Sequence, residues 1–228
     1  VVSDIESLRQ AIQKDHVCAK YRKNYRSSKN FIKADCLPMD CDNDHSEREE
    51  DWKTPADIRA AFPDVPFAVS YSRNHMKQKN NKSPRPRFHV IFMIDETTDV
   101  IEYLKLKKNA LKVFPYFDNN AKDTARFLFG TDNPEVEFTE GTISLNAFIA
   151  DMEAIPEGKR NSTLSHFAGK VIKRYGDTPE AYNLFLTEAE KCTVPLSEQE
   201  LNTIWNSARS FGRKVEKQEG YIPPERYN

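Results

Sequence analysis

Apolar patterning in this chain changes character once, near Asp151, and that change limits the folds open to it. Upstream lie three short runs, Phe31 to Met39, Phe67 to Ser72 and Phe88 to Ile94, with the length and bounding residues of strands. Helical spacing alternates with them. Ile5, Leu8 and Ile12 mark a helix from Ile5 to about Val17. Thr54 caps and Pro55 opens a second, leading into Ile58 and Phe62. Asp99 to Leu111 reads as a basic amphipathic helix, Phe114 to Phe117 as a short strand-like aromatic segment, and Ala121 to Phe129 as a helix stopped by Gly130.

Downstream every signal is helical. Leu164, Phe167, Ala168, Val171, Ile172 and Tyr175 recur at helical spacing before Gly176. Ser197 to Glu200 is a capping box, opening a helix with Leu201, Ile204, Trp205 and Ala208 on one stripe. Strands followed by helices alone predict an α+β unit over 1–150 and a small all-α unit over 151–218, joined through Ile155 to Arg160, with a linker-like tail over 219–228. Phe167, Tyr175, Trp205 and Phe211 are expected in the core of the helical unit.

A chain of 228 residues, 38% apolar and 30% charged, has the composition of an ordinary globular protein. No apolar run is long enough to cross a membrane and no signal peptide opens the chain, so a cytoplasmic protein without a membrane partner is expected. Four cysteines without a CxxC pair fit a reducing compartment. His16, Cys18, Cys36, Cys41 and His45 match no compact zinc spacing. The start at Val1 is expected of an excised or processed piece. A net charge of -1 excludes a uniformly basic coat, but the charge is unevenly spread. Between Ser72 and His89 stand Arg73, Lys77, Lys79, Lys82, Arg85 and Arg87 without an acid; Asp44, Glu47, Glu49, Glu50 and Asp51 form the acidic counterpart.

The first apolar run ends in Asp40-Cys41-Asp42. In a strand, alternate side chains share a face, so the two carboxylates repel unless something positive lies between them. Hard oxygen ligands suit Mg²⁺ or Mn²⁺; a polar turn at a strand end is the alternative. If the strands are neighbours, Asp40, Asp42, His89 and Asp118 converge. Carboxylates on one face holding two cations about 4 Å apart are what two-metal nucleotidyl transfer needs. A triphosphate would then meet His89, Arg87, Ser70, Ser72 and Arg73.

These residues resemble the archaeo-eukaryotic primases carried by phages, plasmids and mobile elements. The likeness runs through Asp40-Cys41-Asp42, then Arg87-Phe88-His89-Val90-Ile91-Phe92, then the acidic stretch from Phe117 to Thr131. The region from Gly158 to Leu201 is similar to the helical domain that follows the catalytic one in such primases. The resemblance implies an RRM-like catalytic core with a smaller flanking α/β unit. It also implies a primase or primase-polymerase acting on a single-stranded DNA template with NTP or dNTP substrates, and a helicase fused or associated. Asp40, Asp42 and a third carboxylate would hold two metal ions, with Asp118 favoured over Asp123 and His89 on the phosphates. Where the family often has serine two residues before the histidine, this chain has Arg87. Arg126 would reach a nucleotide or template phosphate, or pair with Asp123. Lys77, Lys79, Lys82 and Arg85 are expected on DNA. A non-catalytic single-strand or origin-binding module is the rival. A rolling-circle initiator needs a histidine pair around one apolar residue, and Phe88-His89-Val90 has one histidine.

Overall fold

In a computed structural model of the protein, residues 2, 4–132 and 134–226 are described; Val1, Ser3, Asn133 and the last two residues of the tail, Tyr227 and Asn228, lie outside the described residues. The chain divides into two compact units, Val1–Ala150 and Asp151–Asn228. In order, the first contains α1 (Ile5–Ile12), β1 (His16–Val17), β2 (Lys20–Tyr21), β3 (Phe31–Cys41), α2 (Pro55–Ala61), β4 (Phe67–Tyr71), β5 (Phe88–Thr97) and α3 (Val100–Val113). After these come β6 (Phe127–Leu128), β7 (Val136–Thr139) and α4 (Leu145–Glu153), which runs across the dividing line. The second holds α5 (Arg160–Tyr175), α6 (Pro179–Ala189) and α7 (Glu198–Val215). The architecture is α+β with antiparallel sheets.

Five strands form one sheet in the order β2-β3-β5-β4-β7, and β1 pairs separately with β6. Register decides what each face carries. Leu37, Met39 and Cys41 of β3 stand opposite Phe92, Val90 and Phe88 of β5, and Phe67 and Val69 of β4 continue the same rows. All are buried in one core with Ile58 and Phe62 from the α2 region and Tyr103, Leu106 and Ala110 of α3. The alternate residues face the other way, so Asp40, His89 and Ser70 lie side by side across three adjacent strands.

β2 pairs with β3 only near its start, leaving the later carbonyls of β3 without a strand partner on that side. Other donors fill the gap. Tyr103 Oη donates to Cys36 O (3.1 Å), Lys107 Nζ to Pro38 O (2.7 Å), and Asp118 N to Asp40 O (2.8 Å). Lys107 Nζ also donates to Ala121 O (2.9 Å), tying β3 to the turn that carries Asp118.

Local signals explain most helix starts. Asp4 caps α1 reciprocally with Ser7, Thr54 and Asp57 form a capping box before Pro55, and Ser197 and Glu200 form another at α7. Three expectations are corrected. α1 stops at Ile12 rather than near Val17, because His16 and Val17 pair with Leu128 and Phe127. Ala121 to Phe129 is not a helix but a 3-10 turn, Asn119–Lys122, followed by β6. There Asp118 and Asp123 accept from the backbone N–H two residues on, Asn120 and Ala125, and such turns compete with helix. Phe114 to Phe117 is a turn, Phe117 N donating to Phe114 O (3.3 Å), and not a strand.

In the second unit, Leu164, Ala168 and Ile172 of α5 pack with Phe185 of α6 and with Ile204 and Trp205 of α7. Gly176 ends α5 at φ 71°, a backbone angle that favours glycine. Trp205 is in this core and Phe167 is packed against it, but Tyr175 and Phe211 are exposed, contrary to expectation. Among the described residues no helix is long and apolar enough to cross a membrane.

Candidate active site

Asp40 is the centre of the polar face and is only 2% exposed. A buried carboxylate needs charged or hydrogen-bonding company. Its Oδ1 lies 3.2 Å from His89 Nε2, its lateral neighbour on β5, and its Oδ2 lies 2.8 Å from Arg126 Nε. The Arg126 N–H is not aimed along that line, so both atoms are ion-paired yet lack an aligned hydrogen bond. Arg126 therefore pairs with Asp40 rather than with Asp123. On the far side of His89, Ser70 Oγ is buried without a partner.

Burial depresses the His89 imidazole below its ordinary value, against the pull of Asp40 and Asp42; His16 and Arg126 push the same way as burial. His89 is accordingly neutral at physiological pH. Its neighbour His16, on β1, has Nδ1 2.8 Å from Lys14 O and a buried Nε2 with no partner. Thus Ser70 Oγ and His16 Nε2 are two unsatisfied polar atoms beside the Asp40–His89 pair. Such groups are uncommon inside proteins, and a catalytic role or a bound ion is among their explanations.

The other expected residues distribute unevenly. Asp42 Oδ2 takes a salt bridge from Lys79 Nζ (2.8 Å). Asp118 is held next to Asp40 through its backbone N–H, while its side chain accepts from Asn120 N (3.0 Å). Among the described residues no three His, Cys, Asp or Glu side chains are grouped as they would be around a metal ion. Ser72 N donates to Arg87 O (3.0 Å) and Ser72 Oγ accepts from Asn74 N (3.1 Å). Arg73 is exposed, with its guanidinium 4.1 Å over the Phe129 ring.

Arg85 and Arg87 are both fully buried. Arg85 donates to Asn43 O and Ser46 O (both 3.0 Å) and to Glu47 Oε2 (2.5 Å). Arg87 Nη1 donates to Lys77 O (3.0 Å), Nη2 meets Asp44 Oδ1 at 3.4 Å, and Nε has no partner. These two arginines fasten the loop between β4 and β5 onto the acidic stretch after β3. Arg85 offers no charge to a nucleic acid, which corrects its expected place on DNA. Lys82 is also engaged, with Glu47 (3.2 Å) and Asp44 O (3.1 Å), whereas Lys77 is exposed.

Two contributors were not foreseen. His16 gave no signal because its pairing with β6 is a contact over more than a hundred residues. Lys107 is one of several lysines in a basic helix, and nothing local marks it as the buried one. Its burial lowers its pKa to about 8, although Asp40 pulls upward. No protein-family model matches the chain, and no curated protein matches it either.

Proposed function

We propose that this protein is a DNA primase or primase-polymerase, joining nucleotides on a single-stranded DNA template in phage or mobile-element replication. The observation that carries the reading is the row Asp40–His89–Ser70 across β3, β5 and β4, with unsatisfied polar atoms beside it. The order β3-α2-β4-β5-α3, with β5 between β3 and β4, supports an RRM-like core. β7 joins the β4 edge, whereas a ferredoxin-like sheet has its last strand beside the first.

The donor chemistry of Asp40 and Asp42 fits Mg²⁺ or Mn²⁺, hard cations that take oxygen ligands. Each carboxylate already faces one positive group, Arg126 and Lys79 respectively. Asp40 and Asp42 would hold the metal, and Asp118 would join them by turning out of its Asn120 contact. When bound, the ions activate the attacking hydroxyl and stabilise the departing pyrophosphate. The chain's own groups would do the positioning. Ser70 Oγ, which has no partner, would donate to a triphosphate oxygen; His89, whose Nε2 faces Asp40, would turn its one N–H to the phosphates once Asp40 takes up a metal, and Arg126 would supply a positive charge beside them. The helical unit would assist initiation, and a helicase, fused or associated, would supply template.

The ion pairs that already occupy Asp40 and Asp42 favour a second reading, a non-catalytic single-stranded DNA or origin-binding module. Primer synthesis on unprimed single-stranded DNA, with Mg²⁺ or Mn²⁺ and labelled nucleotides, separates the two. The catalytic reading expects product from the wild type and none from Asp40→Asn or Asp42→Asn. Asp42→Asn guards against local unfolding at the buried Asp40. No product from the wild type, with equal DNA binding by all three, supports the binding module.

A further inference from the structure

A second basic stretch lies well before the loop between β4 and β5. Between Asp15 and Asp35 stand Lys20, Arg22, Lys23, Arg26, Lys29 and Lys33 with no acidic residue. Among the described residues, the one ion pair these six cations make is Lys33 with Glu96. Arg22, Lys23, Arg26 and Lys29 are all exposed, and Tyr25 among them is 69% exposed.

This stretch connects to an aromatic strip. The Arg26 guanidinium lies 5.3 Å over the Phe127 ring, Phe127 meets Phe129 edge-on with centroids 5.1 Å apart, and Arg73 lies 4.1 Å over Phe129. Arginine, ring, ring and arginine thus form one continuous ladder. It joins two clefts: Lys20, Arg26 and Phe127 help line one of about 720 Å³, and Ser72, Arg73 and Thr131 help line another of about 440 Å³. The ladder is fixed from behind. Arg26 Nη1 donates to Ala125 O (2.7 Å), and Gly130 N donates to Asp15 Oδ1 (2.9 Å) directly after Phe129. Phe129 remains 51% exposed even so.

An apolar ring held half-open between a guanidinium and a second ring, beside exposed cations, has the chemistry that single strands require. Phosphates take the cations, and unpaired bases stack on rings and guanidinium planes whatever their sequence. A lipid surface would use the cations but not the rigid edge-on ring pair.

We propose that Tyr25, Arg26, Phe127, Phe129 and Arg73, with Arg22 and Lys23, form a binding strip for single-stranded DNA, with a base stacked on Phe129. Arg126, one residue before Phe127, pairs with Asp40, so the strip adjoins the candidate site in the chain. It rests on the template-directed reading only in its choice of DNA over RNA.

The test is fluorescence anisotropy of a labelled oligothymidylate over a range of salt, with an oligouridylate alongside. Phe129→Ala should weaken binding on the order of tenfold with the salt slope kept, since it removes stacking and no charge. Arg22→Ala with Lys23→Ala should reduce the slope of log K against log salt by roughly 1.4, about 0.7 for each lost phosphate contact. All three positions are exposed, so unchanged thermal unfolding is expected and serves as the folding control. Wild-type affinity in both variants, no binding by the wild type at low salt, or tighter binding of the oligouridylate would overturn the proposal. Variants that lose binding in a protein that makes no primer would leave the strip standing and remove the catalytic reading. Intact primer synthesis with unaltered binding by the variants would do the reverse.

Discussion

The two basic stretches, 20–33 and 73–87, carry six cations each and no acid, yet they end in opposite states. In the later one, Lys79, Lys82, Arg85 and Arg87 turn inward onto Asp42, Asp44 and Glu47. In the earlier one, exposed cations keep their charge for solvent or a ligand. The difference lies outside both stretches. An acidic run directly follows β3, and strand pairing brings the β4–β5 loop against it; among the described residues, the one acid ion-paired with residues 20–33 is Glu96. Local charge counts a supply of cations, while topology decides which are consumed.

Removing the central fastener of the paired loop should have the largest effect. Arg85→Met leaves the buried Asn43 carbonyl without its donor, while Ser46 O keeps Trp52 Nε1, and should cost about 2 kcal/mol in urea unfolding. If stability is unchanged, the loop is not held by its inward pairs and the contrast collapses.

A smaller effect concerns the residue into which that loop runs. His89 is depressed below 6.5 by burial, so the unfolded chain takes up the proton first as pH falls. The contribution of a neutral His89 is complete above pH 6.5 and is lost as pH drops below it. Asp40, Asp42, His16 and Arg126 face this ring and set the size of the loss. His89→Gln should flatten the acid side of a plot of thermal midpoint against pH. An equally steep acid limb in that variant would place the sensitivity elsewhere.

The smallest expected change sharpens the other side of the comparison. Arg22→Ala with Lys23→Ala should alter unfolding free energy by no more than about 0.5 kcal/mol per site, as for surface positions that hold nothing together. A larger loss would mean that the early stretch, too, is structural.

What was legible in the sequence followed from short-range physics. The apolar runs of β3, β4 and β5 are long enough to be read alone, and the Thr54-Pro55 and Ser197–Glu200 starts are local hydrogen-bond chemistry. The segment from Ala121 to Phe129 misled because Ala121, Ala125 and Leu128 repeat at helical spacing, while the forces that won were Asp side-chain turns and pairing with β1. The row Asp40–His89–Ser70 needed register, which no strand contains by itself. Arg85 looked like its neighbours in composition. Its complete burial depends on carbonyls some forty residues earlier.

The three donors along the outer side of β3 have a consequence for how this protein behaves at high concentration. A sheet edge with free N–H and C=O groups invites another chain to add a strand. Here Pro38 offers no N–H, and Tyr103, Lys107 and Asp118 occupy the carbonyls of Cys36, Pro38 and Asp40. The edge beside the candidate site is closed to edge-to-edge aggregation, yet the polar face stays open for a ligand. Lys107, buried at the middle of that seal, guards against self-association while holding the strand that presents Asp40.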